Sequence, residues 1–137
     1  MDLKGTFTAM ITPFIEDKLD EQGLAANIRA QLEADITGLV FLGTTGEDAT
    51  LTDEERRRVV EIGVRETKEK ALVIVGTGSN STQSTIKKTK QAKELGADIA
   101  LIVTPYYNKP TQEGIFRHFE AMAVRRCVAV LAPTPSI

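Results

Sequence analysis

Three short segments gather residue types that handle small polar substrates. Gly43-Thr44-Thr45-Gly46-Glu47 sets two adjacent hydroxyls between glycines. Glycines let the backbone turn its N–H groups inward, so this loop offers amide and hydroxyl donors to a small anion such as a carboxylate. It is not a P-loop, because no Gly-Lys-Ser/Thr follows. A tight turn made from the same freely turning residues is the alternative reading. Gly76-Thr77-Gly78-Ser79-Asn80-Ser81 matches G-x-G-x-x-G only in part, with Ser81 in place of the third glycine. No acidic residue closes the apolar run that follows, since Asp98 precedes it, so a dinucleotide site is disfavoured. Thr104-Pro105-Tyr106-Tyr107-Asn108-Lys109-Pro110 holds both tyrosines of the chain. A phenol relays a proton while a hydrogen bond from its neighbour holds it in place, which suits acid/base work. A packing or interface pair is the alternative, tyrosine being enriched at interfaces.

Other chemistries are narrowed by counting. A single Cys127 and a single His118 exclude an intrachain disulfide framework, a zinc finger or a multi-histidine metal site, and no cofactor is implied. His118 follows Arg117 on a predicted helix and reads as a surface or core-edge residue. Cys127 reads as a small buried filler. Lys87, Lys88, Lys90 and Lys93 share one helix with almost no aromatic interleaving, so they read as a solvated face. Seventeen Lys and Arg against 19 Asp and Glu leave a net charge of −2, too balanced for a protein that neutralises phosphate backbone. Nucleic acid is excluded as a partner on that ground. The N-terminus lacks a basic stretch followed by a long apolar one, and no apolar run approaches the ~20 residues of a bilayer span. A soluble protein of the cytoplasm, with no membrane partner, is expected.

The elements that must position these segments follow from periodicity. Gly5 to Ile11 alternates small, aromatic and β-branched residues and stops at Thr12-Pro13, predicting a strand and then a loop. Asp20 caps a predicted helix to about Asp35, with Leu24, Ile28 and Leu32 on one stripe. Gly38 to Leu42 is a continuous apolar run, the pattern of a strand buried on both faces. Thr52-x-x-Glu55 is a capping box that opens a helix through Thr67. Leu72 to Val75 predicts the third strand, Ser81 or Thr82 to Leu95 a helix, and Gly96 a left-handed C-terminal cap. Ile99 to Val103 predicts the fourth strand, and Thr111 starts a helix whose Ile115, Phe119, Met122 and Ala123 share a face. Val128 to Leu131 is the fifth strand.

Strand and helix alternate four times before that last strand, which implies a parallel sheet. An open doubly wound sheet and a (β/α)8 barrel both fit. A barrel takes about 250 residues, so 137 is about half of one. In either architecture the three segments leave the carboxyl ends of strands, where α/β sites collect.

Taken in order, Gly5-Thr6-Phe7-Thr8-Ala9-Met10-Ile11-Thr12-Pro13-Phe14, the Gly43 to Glu47 loop, Gly76 to Asn80, and Thr104 to Gly114 resemble the dihydrodipicolinate synthase family. These are pyruvate-dependent class I aldolase-type lyases of lysine biosynthesis, (β/α)8 barrels and usually homotetramers. The resemblance covers residues 1 to about 131 and implies the N-terminal half of a TIM barrel, four βα units plus a fifth strand. Residues 132–137 are then a divergent tail. It implies that Thr45 holds the carboxylate of pyruvate and that Thr44 and Tyr107 belong to the proton relay. Tyr107 would serve a neighbouring active site across a dimer. Asn80 and Tyr106 match positions of a lysine feedback site between subunits, but Ser84 stands where that site has a carboxylate.

Two departures bear on function. The family's fifth strand ends Leu-Tyr-Asn-x-Pro-x-Arg, whereas this chain reads Leu131-Ala132-Pro133-Thr134-Pro135-Ser136-Ile137, without the relay tyrosine or the arginine. The family's sixth strand, with the lysine that condenses with pyruvate, has no match. Lys109 is the one lysine on a loop at the expected rim; those at positions 4, 18, 68, 70, 87, 88, 90 and 93 lie at the N-terminus, in the first loop, or on helices and their ends. The resemblance therefore implies a synthase-like lyase acting on pyruvate and aspartate semialdehyde, represented by a truncated chain that is inactive alone. The alternatives are a non-catalytic remnant or interaction protein that keeps the half-barrel, and another pyruvate aldolase of the superfamily. A half-barrel leaves strand edges open, so a homo-oligomer is expected.

Overall fold

A computed structural model describes residues 3–68, 70–123 and 128–130. Five strands form one parallel sheet, β1 (Phe7–Ala9), β4 (Gly38–Phe41), β5 (Leu72–Gly76), β6 (Ile99–Ile102) and β7 (Val128–Val130), in that spatial order. Parallel neighbours need long crossovers. Four helices supply them: α1 (Glu21–Glu33), α2 (Asp53–Thr67), α3 (Thr82–Glu94) and α4 (Gln112–Ala123). Register is regular, with Thr8 opposite Leu39, Leu39 opposite Val73, Val75 opposite Ala100 and Leu101 opposite Ala129.

The core follows from period-two alternation meeting helical stripes. Leu39, Phe41, Val73 and Val75 are buried against Leu24 and Ile28 of α1 and Val59 and Ile62 of α2. α2 comes close because Gly63 has no side chain; a Cβ there would stand 2.9 Å from the Phe41 ring. A smaller cluster joins Ala100 and Ile102 to Met122, with Phe119 packed on it.

Helix starts obey local chemistry. Asp20 accepts from the amide of Gly23 at 2.9 Å. The Thr52 hydroxyl accepts from the Glu55 amide, and the Glu55 carboxylate accepts from the Thr52 amide at 2.8 Å. That bond holds the Glu55 carboxyl below its ordinary range. Ser81 caps α3, and Gly96 takes a φ of 100° just beyond its end.

The structure corrects or narrows three expectations. The first strand is shorter than Gly5 to Ile11, and the loop expected after it contains a hairpin, β2 (Phe14–Ile15) and β3 (Lys18–Leu19). Its two-residue turn puts Glu16 and Asp17 at φ 48° and 58°, the conformation of tight hairpins that Asn-Gly ordinarily signals. Of the four α3 lysines, Lys88 is only half-exposed rather than on a solvated face. Of the surface and core-edge readings of His118 the structure leaves the second; the residue is 4% exposed between α3 and α4, its Nδ1 bonded to the Thr82 hydroxyl at 2.9 Å. Cys127, Leu131 and the 132–137 tail lie outside the described residues. Among the described residues no helix is long and apolar enough to cross a membrane.

Candidate functional site

The three segments singled out by composition leave the carboxyl ends of β4, β5 and β6 and converge there. Each is held in shape by bonds its own residues make.

After β4 the chain reverses sharply. Leu42 has a left-handed φ of 56°, costly for a residue with a side chain. The turn carries its carbonyl toward β5, where a Cβ at position 76 would stand 1.9 Å from Leu42 O. Only glycine fits at Gly76. The loop then winds through successive turns, the Gly46 amide donating to Gly43 O at 3.1 Å and the Glu47 amide to Thr44 O at 3.0 Å. Glu47 is again left-handed, with φ 55°, and leads into a short 3-10 turn, Asp48–Thr50. The buried Thr12 hydroxyl, from the Thr-Pro corner after β1, donates to Gly46 O at 2.8 Å and pins the loop from the other side.

After β5, Thr77 is fully buried, with its hydroxyl 2.9 Å from that of Thr89 and its amide donating to Leu101 O. Its role is to fasten the loop to α3 and β6. Asn80 is exposed, and its carbonyl accepts from Asn108 Nδ2 at 3.2 Å, which couples this loop to the tyrosine loop. After β6, the Asn108 amide donates to Tyr106 O at 2.8 Å around Tyr107, whose φ is 69°. This three-residue turn with positive φ at its centre is the rare, strained kind. It holds Tyr107 93% exposed.

These loops surround a cavity of about 400 Å³ whose wall includes Thr44, Glu47, Asp48, Gly76, Gly78 and Tyr106, with Leu42, Leu101 and Val103 as apolar surface. Thr44 and Tyr106 thus meet at one cavity from separate loops. Thr45 is exposed and Tyr107 projects outward, and neither is part of that wall. Lys109 is exposed and left-handed, with φ 41°. Among the described residues no lysine lines the cavity, and no cluster of three His, Cys, Asp or Glu could hold a metal ion.

Sequence reasoning missed a charged cluster beneath this wall. Arg56 of α2 is 7% exposed; its Nη1 pairs with Asp48 Oδ1, and its Nη2 donates to Gly76 O at 3.3 Å. Lys88 Nζ lies 3.7 Å from the other Asp48 oxygen. Burial pushes the Arg56 pKa down, and burial followed by the Arg56 charge lowers that of Lys88, with Asp53 partly offsetting. A signal existed. Arg56 shares the α2 stripe with Val59, Val60 and Gly63, and an arginine at stripe spacing must find partners inside the protein.

The sequence profile described as the dihydrodipicolinate synthetase family matches residues 2–131. The chain is 60% identical over 123 residues to the 4-hydroxy-tetrahydrodipicolinate synthase of Protochlamydia amoebophila, covering 89% of this chain and 41% of that protein. Its structure superposes with a TM-score of 0.93 on the synthase of Methylacidiphilum fumariolicum SolV, at 41% identity, over 98% of this chain and 45% of that one. The Acinetobacter baumannii dihydrodipicolinate synthase, a chloride-inhibited form complexed with pyruvate, gives 0.90 at 40% identity over 96% of this chain and 45% of that one. The chain thus spans about two fifths of the length of such relatives, and its five-stranded parallel sheet is the N-terminal half of a (β/α)8 barrel. On sequence and structure alike, the chain belongs to the dihydrodipicolinate synthetase family.

Proposed function

We propose that this chain carries the carboxylate-binding and proton-handling part of a lyase site that joins pyruvate to aspartate semialdehyde in lysine biosynthesis, and that its 137 residues bind pyruvate without activating it. The supporting observation is the convergence of the three loops at the carboxyl ends of β4 to β6 on a cavity whose wall includes Thr44; Thr45 is exposed on the same loop and Tyr107 on the tyrosine loop, both outside that wall. Thr45, with its backbone amide and hydroxyl, holds the pyruvate carboxylate. Thr44 and Tyr107 are relay members, Tyr107 reaching toward a neighbouring subunit from its exposed turn. Homo-oligomerisation and a cytoplasmic location belong to the same reading. Asn80 and Tyr106 are proposed as one side of a lysine feedback site, weakened because Ser84 cannot pair an ammonium by charge.

Condensation requires an uncharged amine to attack the pyruvate carbonyl, expel water and leave an imine as the electron sink. No described lysine lines the cavity, and Lys109 is exposed on its loop. Binding without the nucleophile cannot supply that covalent route. Borohydride reduction in the presence of pyruvate tests this: the intact mass of the chain is expected to stay unchanged. A stoichiometric adduct mapped to Lys109 or any other lysine would overturn the proposal and make the chain a working minimal lyase.

A second reading, an interaction protein that keeps the half-barrel, is supported by β1 and β7 each having a single sheet neighbour among the described residues. Assembly together with a complete lack of pyruvate binding would favour it.

A further inference from the structure

We infer that Arg56 is a positioning residue for the carboxylate-anchoring loop, an inference that rests on the proposed pyruvate site. The guanidinium is buried on the inner face of α2, yet its partners are not those of a helix-packing ion pair. Its Nη1 pairs with Asp48 and its Nη2 donates to Gly76 O at 3.3 Å. Asp48 and Gly76 both form part of the cavity wall that includes Thr44. Asp48 also opens the 3-10 turn that follows the left-handed Glu47, at the end of the Gly43 to Glu47 loop. One planar fork therefore ties α2, the anchor loop and the end of β5 together.

The cation is needed because the loop has few other restraints on this side. Thr44, Thr45 and Glu47 are exposed. The loop's own bonds run from the amides of Gly46, Glu47 and Thr50 to carbonyls within it, which fix local turns but not their placement over the cavity. Thr12 holds Gly46 from the β1 side; Asp48 is held by Arg56 from the α2 side and, at the longer distance of 3.7 Å, by Lys88 from α3. A fork with two separate donor nitrogens fits this task, and a lysine could fill it only in part.

The test compares Arg56→Met, Arg56→Lys and Asp48→Asn with the unaltered chain in two measurements: hydrogen exchange of backbone amides without ligand, and titration of the Thr44 and Thr45 amide signals with pyruvate. Arg56→Met is expected to speed exchange at Gly46, Glu47 and Thr50 while leaving α1 and β4 protected, and to weaken pyruvate binding about tenfold. Arg56→Lys is expected to recover part of both effects. Asp48→Asn, which keeps the side-chain shape, is expected to reproduce the loop effect even if the methionine variant folds poorly. Loop exchange unchanged in both Arg56→Met and Asp48→Asn, or raised equally throughout the chain, would overturn the inference. If the unaltered chain binds no pyruvate, the function proposal fails, while the exchange data still decide whether Arg56 positions the loop.

Discussion

At the scale of single residues, His118 shows how a polar group buried outside the cavity shapes the pH response. Its Nδ1 meets the Thr82 hydroxyl, its Nε2 has no partner among the described residues, and its ring stands edge-on to Phe119 at 5.4 Å. Burial disfavours the imidazolium and lowers the pKa below its ordinary value of 6.5. The unfolded chain therefore binds the extra proton first as pH falls through that value. Stability is fully present above it, declines as pH drops toward the lower folded value, and levels off below that. Urea midpoints between pH 7.5 and 5 are expected to fall more steeply for the unaltered chain than for His118→Gln. Equal slopes would remove His118 as the cause. Residue types in the three loops were legible from the chain alone, because Thr44, Asn80 and Tyr106 each sit within a short motif. Arg56 was not, because its partners Asp48 and Gly76 lie in different segments and only the fold brings them together.

At the scale of elements, legibility tracked how local the determining chemistry is. The capping box of α2 involves residues three apart and needs no tertiary contact. Thr52→Ala is expected to cost about 1 kcal/mol, measured by denaturant unfolding, and Thr52→Ser to cost less; equal loss in both would assign the effect to something other than the cap. The β2–β3 hairpin was invisible because Glu16 and Asp17 lack the usual turn composition, and their left-handed conformations are held by the Phe14–Leu19 and Ile15–Lys18 pairing. Gly76 read as part of a loose nucleotide motif. Its reason is steric, the Leu42 carbonyl lying against it, a contact between the end of β5 and the turn after β4 that a single segment does not display. α1 and α2 are further clamped by Arg58, whose Nε and Nη2 donate to Glu21 at 2.5 and 2.7 Å. This pair is half-exposed and of modest worth.

At the scale of the whole molecule, alternating strands and helices left two architectures open, and the choice between them came from the motifs in their order rather than from periodicity. Among the described residues β1 and β7 each have one neighbour in the sheet, and Ile11, Ile15 and Phe116 are more than half exposed. Open edges and uncovered apolar side chains drive association. Sedimentation velocity is expected to show mass rising with concentration; a monomer that stays ideal over a wide range would contradict this. Amide NMR of the full chain titrated with pyruvate tests whether the Gly43 to Glu47 loop anchors a carboxylate. Saturable shifts at Thr44 and Thr45, abolished by Thr45→Val, are the expected result. No shifts at all, or shifts confined to Gly76 to Ser81, would contradict the assignment of a carboxylate anchor to that loop.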